Sequence, residues 1–137
     1  MAEGFAWPVR VYYEDTDAGG VVYYANYLKF MERARTEWLR QRGFEQQRLI
    51  AQEGVMFAVR RAELDYRRPA RLDDLLKVTA RIEASGSASL TFAQEVLRGA
   101  DQSVCCRGRV KVACVDAVRL RPRRIPPQLI AELSHGV

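Results

Sequence analysis

One stretch of this sequence has the length and striping of a core helix, and it limits what the rest can do. From about Tyr23 to Arg42 apolar residues recur at helical spacing. Tyr24, Tyr27, Leu28, Phe30, Met31, Ala34, Trp38 and Leu39 share one broad arc. Lys29, Glu32, Arg33, Thr36, Glu37 and Arg40 lie opposite. Arg35 falls inside the apolar arc, and the pattern gives no reason for it. Gly43 suits the position after the last turn, where a left-handed residue ends a helix. A shorter helix is expected from Glu45 to Gln52, closed by Gly54.

The remainder alternates with period two. A first strand is expected from Val9 to Tyr13, with Pro8 at its entry. A second places Met56, Ala58, Ala62, Leu64 and Tyr66 on one face, interrupted by Arg60. A third sets Leu76, Val78, Ala80 and Ile82 against Lys77, Thr79, Arg81 and Glu83. In a fourth, Leu90, Phe92 and Val96 face inward with Gln94 among them. A fifth sets Val104, Cys106, Val110, Val112 and Cys114 inward. Strands with one apolar face and short turns make an antiparallel sheet. That sheet needs a cover, and the Tyr23–Arg42 helix is the only long apolar one. The expected class is α+β, with one long central helix wrapped by a curved antiparallel sheet of about five strands, in one domain over residues 1–137. A short last helix is expected from Gln128 to Leu133.

The segment entering the helix carries the chemistry. Tyr13-Glu14-Asp15-Thr16-Asp17-Ala18-Gly19-Gly20 runs from a strand-like stretch through acids into a Gly-Gly turn. This sets at least one carboxylate beside a helix start, whose first N–H groups lack partners and can stabilise an anion. The single histidine, His135, stands two residues from the C-terminus. A Ser-His-Asp triad, a Cys-His pair or a His-ligated metal would depend on it, and termini are poorly ordered. Catalysis is therefore left to carboxylates, backbone N–H groups, hydroxyls and basic side chains, and no metal site is expected.

Cys105, Cys106 and Cys114, odd in number and within strand-like sequence, read as buried thiols of a reducing compartment. With no signal-peptide pattern and no run long enough to span a bilayer, a cytoplasmic protein is expected. The net charge of +5 favours anionic partners, which include nucleic acid, anionic lipid, an acidic carrier protein and a polyphosphate. The aromatic-basic interleaving of a nucleic-acid surface is missing, so no nucleic-acid partner is expected.

The run Asp17-x-x-Gly20-Val21-Val22-x-Tyr24-x-Asn26-Tyr27, between a first strand and a long helix, resembles the hot-dog-fold acyl-CoA thioesterases. The likeness is to the 4-hydroxybenzoyl-CoA thioesterase family, and within it to the YbgC-type branch associated with the Tol-Pal system. It continues through Phe30-x-Glu32-Arg33-Ala34-Arg35-Thr36-Glu37 and Pro69-Ala70-Arg71-Leu72-Asp73-Asp74 and covers nearly the whole chain. The resemblance implies metal-free hydrolysis of acyl-CoA thioesters in lipid metabolism, with no cofactor beyond the CoA of the substrate. It implies a homo-oligomer, a tetramer built as a dimer of dimers, with sites at the dimer interface. Acyl carrier protein as a partner and peripheral association with the inner membrane come with the same likeness. It makes Asp17 the catalytic carboxylate and the backbone N–H of Tyr24 the oxyanion donor; Gly20, Val21 and Tyr27 are the residues expected to bind substrate. Many Tol-Pal-type members carry His where this chain has Tyr24. A backbone donor survives that change, but any role of a His side chain is absent.

Each residue also has a plainer reading. Asp17 could be a turn or N-cap acid, Asp15 a structural acid, and Glu32 a solvated or salt-bridged one. Tyr23, Tyr24 and Tyr27 could be helix-face packing, with one of them lining an acyl pocket. Asn26 and Thr91 are candidates for the pantetheine arm. Arg67, Arg68, Arg71, Arg107, Arg109 and the tail arginines are candidates for the CoA phosphates. At the level of function, the alternatives are a non-catalytic acyl-CoA or acyl-carrier-protein binding module and a hot-dog dehydratase.

Overall fold

The core helix, α1, spans Asn26–Gln41, in a computed structural model that describes residues 4–136, with side chains as far as Leu133. It begins three residues later than its striping predicts, because Tyr23 is held by the preceding turn: its N–H donates to the Asp15 carbonyl (2.9 Å). Tyr27, Phe30, Met31, Ala34, Trp38 and Leu39 are buried, as the arc requires. Tyr24, now outside the helix, is 61% exposed, and Leu28 at the margin of the arc is 42% exposed. Trp38 meets Phe92 edge-on with ring centroids 5.3 Å apart, and the Arg42 guanidinium lies 3.7 Å from the Trp38 ring centroid. Burying each such side chain contributes roughly 1.5–3 kcal/mol.

The helix lies on a six-stranded antiparallel sheet. The strands are β1 (Ala6–Arg10), β2 (Val55–Tyr66), β3 (Leu75–Thr79), β4 (Arg81–Ser85), β5 (Ser89–Arg98) and β6 (Val104–Asp116). Their order is β1-β3-β5-β6-β2, with β4 also paired to β5. The second helix, α2 (Gln46–Arg48), continues as a π-turn over Leu49–Glu53, and Gly54 closes it at φ 68°, the left-handed conformation expected of it. The last helix, α3, covers Pro127–Gly136. No helix among the described residues is long and apolar enough to cross a membrane. The side chain of His135 lies outside the described residues.

Three boundaries differ from the periodic reading. The first strand lies earlier, at Ala6–Arg10, and Pro8 sits within it. That is tolerated because β1 is an edge strand, paired only with β3. The expected single strand through Leu76–Glu83 breaks at Ala80 into β3 and β4, so the sheet has one strand more than alternation alone suggests. In β2 the register shifts between Val59 and Arg61, so Arg60, which interrupted the alternation, is the extra residue of a bulge.

Two polar residues out of place in the pattern meet in the core. Arg35, which is 7% exposed, donates from Nη1 to Oε1 of Gln94, at 3.0 Å. Gln94 in turn donates from Nε2 to the carbonyls of Met31 and Thr79, each at 3.1 Å. Next to Gln94, across the β5–β6 pair, is Gly108. A Cβ there would lie 2.8 Å from Cε of Met31, so the bare backbone lets the helix settle onto β6.

Candidate active site

Between β1 and α1 the chain makes a 3-10 turn at Tyr13–Asp15 and then a tight hairpin. Thr16 bridges to Val22, the Asp17 N–H donates to the Val21 carbonyl (2.9 Å), and the Gly20 N–H donates to the Asp17 carbonyl (3.0 Å). Gly20 has φ 78°, a left-handed conformation that strains any residue with a Cβ. The hairpin is anchored on the 70–71 segment: Val22 N–H donates to the Ala70 carbonyl (2.8 Å) and Val21 bridges to Arg71.

Asp15 is the keystone of this region. It is 3% exposed, and its Oδ2 accepts the Tyr12 N–H at 2.8 Å. Its Oδ1 receives Lys29 Nζ at 3.4 Å, and its carbonyl receives both the Tyr23 N–H and Nδ2 of Asn26, each at 2.9 Å. Asp15 is thus a structural acid, and the Asn26 amide is committed to holding the helix start. Neither the role of Lys29 nor that of Tyr66 could be read from the sequence. Tyr66, at the end of β2, donates its hydroxyl to the Tyr24 carbonyl across 3.2 Å. Its ring stands edge-on to Tyr24 and Tyr27, with centroids 6.1 Å and 5.6 Å away. A contact spanning 42 residues leaves no local signal.

Asp17 is exposed. Its Oδ1 accepts the Gly19 N–H at 2.8 Å, which orients the carboxylate and leaves Oδ2 open. Tyr24 and Ala25, also exposed, have backbone N–H groups that meet no acceptor among the described residues. No side chain caps the helix at Ala25. The hairpin and the helix start that follows it form one shelf of the chain, which carries one oriented carboxylate and two open N–H groups. Gly20 and Val21 form the turn of that shelf. Tyr27 lies beneath it: it is 3% exposed, its hydroxyl accepts the Ala70 N–H (3.1 Å), and its ring packs on Phe30. Burial pushes the Tyr27 phenol above its ordinary range.

Of the arginine candidates, Arg71 is brought beside the hairpin through its bridge to Val21. Arg67 is paired with Asp65, Arg107 with Glu95 and Arg109 with Glu83. Thr91 stands in β5 opposite Lys111, away from the hairpin. A concavity of about 540 Å³ on the sheet's outer face, among Glu63, Glu95, Arg107 and Arg109, holds none of the shelf residues.

A curved antiparallel sheet against one long helix is the hot-dog arrangement found in thioesterases. The model of the thioesterase-like superfamily matches residues 11–133, and the chain belongs to that family. It is 49% identical over 130 residues to the acyl-CoA thioester hydrolase YbgC of Escherichia coli O6:H1, covering 95% of this chain and 96% of that protein. The acyl-CoA thioesterase YbgC of Haemophilus influenzae is 46% identical over 135 residues, covering 98% of each. A crystal structure of a probable thioesterase from Bartonella henselae superposes with a TM-score of 0.84 at 38% identity, over 89% of this chain and 98% of that one.

Proposed function

We propose that this chain hydrolyses acyl-CoA thioesters to a free acid and CoA, with Asp17 and the N–H of Tyr24 as its catalytic groups. The observation that carries this reading is the shelf itself. It holds a carboxylate with one oxygen oriented by Gly19 and the other open, followed along the chain by unpartnered N–H groups at an uncapped helix start. The similarity to acyl-CoA thioesterases over nearly the full chain supports the substrate class.

A thioester carbonyl needs an attacking oxygen and a place for the charge that develops on its own oxygen. Oδ2 of Asp17 meets the first need, either by attacking to form a mixed anhydride that water then cleaves, or by taking a proton from an attacking water. Both routes release the acid and the thiol. The Tyr24 N–H meets the second need with the helix dipole behind it. Gly20 and Val21 let the thioester approach the backbone, and Arg71 is placed to meet CoA phosphate. The shelf is open on a single chain, which supports completion of the site by a second copy in a homo-oligomer, a tetramer as a dimer of dimers. Acyl carrier protein as an alternative carrier, a cytoplasmic location and a Tol-Pal setting belong to the same proposal.

Asp17→Asn is the decisive variant. An Asn Oδ1 still accepts the Gly19 N–H, so the hairpin and the thermal transition should persist. Thiol release from acyl-CoA should fall by on the order of 10²–10⁴-fold. Wild-type turnover in that variant removes Asp17 from the mechanism. A single turnover in H₂¹⁸O separates the two routes, because only the anhydride route can place the label in Asp17.

A further inference from the structure

Midway along α1, far from its first turn, a chamber of about 70 Å³ opens between the helix and the sheet. Phe57, Val59, Leu90, Phe92 and Val112 give it apolar walls, and Arg35 lines it from the helix side. Arg35 is 7% exposed. A guanidinium carries five N–H donors, yet the one hydrogen bond that Arg35 makes among the described residues goes to the neutral Gln94 amide. Gln94 is fully committed, since its NH₂ serves the Met31 and Thr79 carbonyls. Glu32, one turn away at the lip, is exposed and makes no ion pair with Arg35. A buried cation without a counter-ion in contact is unfavourable: burial presses the Arg35 pKa below its ordinary range, and the Glu32 carboxylate offsets that only in part. The remaining Arg35 donors border the chamber.

We infer that the chamber is a binding site for a small carboxylate, received by the Arg35 guanidinium. The planar fork of Arg matches a carboxylate with two parallel hydrogen bonds. A chamber of about 70 Å³ is large enough for that group. The apolar side of the wall lowers the local dielectric and strengthens the pair, while Thr36 and Gln46 add polar groups on the helix side. Glu32 at the lip disfavours multiply charged anions. Binding of the carboxylate stands apart from the proposed hydrolysis, whereas the source of the group rests on it. That reaction supplies two sources: the free acid it releases, or the far end of an acyl chain that itself terminates in a carboxylate.

The test uses the full chain in thermal unfolding and calorimetric titration, with sodium acetate against sodium chloride at matched ionic strength. Acetate alone should raise the wild-type transition by a few degrees and saturate. The rise should vanish in Arg35→Met and in Val59→Trp. Val59 is 55% exposed on an edge strand, so Val59→Trp fills the chamber from its rim without burdening the core, and it decides the matter if Arg35→Met does not fold. An equal response to chloride, no response in the wild type, or a response that persists in Val59→Trp overturns the site and leaves Arg35 a structural cation. A second arm compares glutaryl-CoA with pentanoyl-CoA. A tenfold fall in the glutaryl preference of kcat/KM in Arg35→Met assigns the acyl terminus as the source. An unchanged ratio beside an intact acetate response assigns the free acid. Should the wild type release no thiol from any acyl-CoA, short, long or aromatic, the proposed function fails while the acetate arm still decides the site.

Discussion

The first turn of α1 and its middle are opposite environments on one helix. At the start, Tyr23, Tyr24 and Ala25 are exposed, no side chain caps the helix, and two N–H groups stay open. In the middle, Phe30, Met31, Ala34 and Trp38 are at most 1% exposed. The buried portion fixes the axis, and the exposed end uses that fixed axis to aim its N–H groups. Rigidity and reactivity are thus held by different residues, so changes at the two ends should register in different measurements.

Trp38→Ala should give the largest effect on the stability side. The ring is 1% exposed and packs on Phe92 and under Arg42. Removing it leaves a cavity and costs about 3–5 kcal/mol, read as a lower denaturant midpoint. At temperatures where the variant is still folded, turnover per folded molecule should change little. A loss of turnover as large as that of Asp17→Asn would mean the two ends are not separable.

How far the sequence foretold this division depends on the range of each interaction. The helix stripe, the Gly54 stop and the Gly-Gly turn were legible because each rests on residues within a few positions. Arg35 and Gln94 each stood out as an interruption, but nothing in either stretch says that the two meet, since 59 residues separate them. The break at Ala80 was hidden because β3 and β4 keep the same alternation through it. Alternation puts Pro8 at the entry of β1 rather than within it, because edge position depends on sheet order, which alternation does not encode. In the candidate site Asp17 was legible from its setting. The Tyr66 hydroxyl on Tyr24 and the Lys29 ammonium on Asp15 arise only once the chain has folded.

Tyr24 sharpens the comparison at the exposed end, because its side chain and its N–H can be removed separately. Tyr24→Ala deletes a ring that is mostly in solvent and keeps the N–H. Tyr24→Pro removes the N–H, and proline is tolerated near a helix start. The alanine variant should keep a rate close to wild type. The proline variant should lose on the order of 10²–10³-fold in kcat, or about 2.7–4 kcal/mol of transition-state stabilisation. Near-equal rates in the two variants would exclude the backbone donor. A large loss in the alanine variant alone would transfer the role to the side chain.

The smallest effect probes what lies under the exposed turn. Cys106 is the register partner of Tyr66 in the β2–β6 pair and is fully buried. Burial first, and then the Asp65 carboxylate, push its thiol up to about 12 from 9.0. Between those values the folded chain keeps a proton that the unfolded chain has lost, so this contribution to stability is whole below pH 9 and declines as pH rises toward 12. At pH 10 the loss is about 1.4 kcal/mol. Tyr27, also raised by burial, adds a loss of the same sign at higher pH. Stability measured by denaturant from pH 8 to 10 should therefore fall more steeply for wild type than for Cys106→Ala. Identical slopes would mean that solvent reaches the floor of the first turn. The contrast between the two ends of α1 would then extend through the sheet rather than stop at its surface.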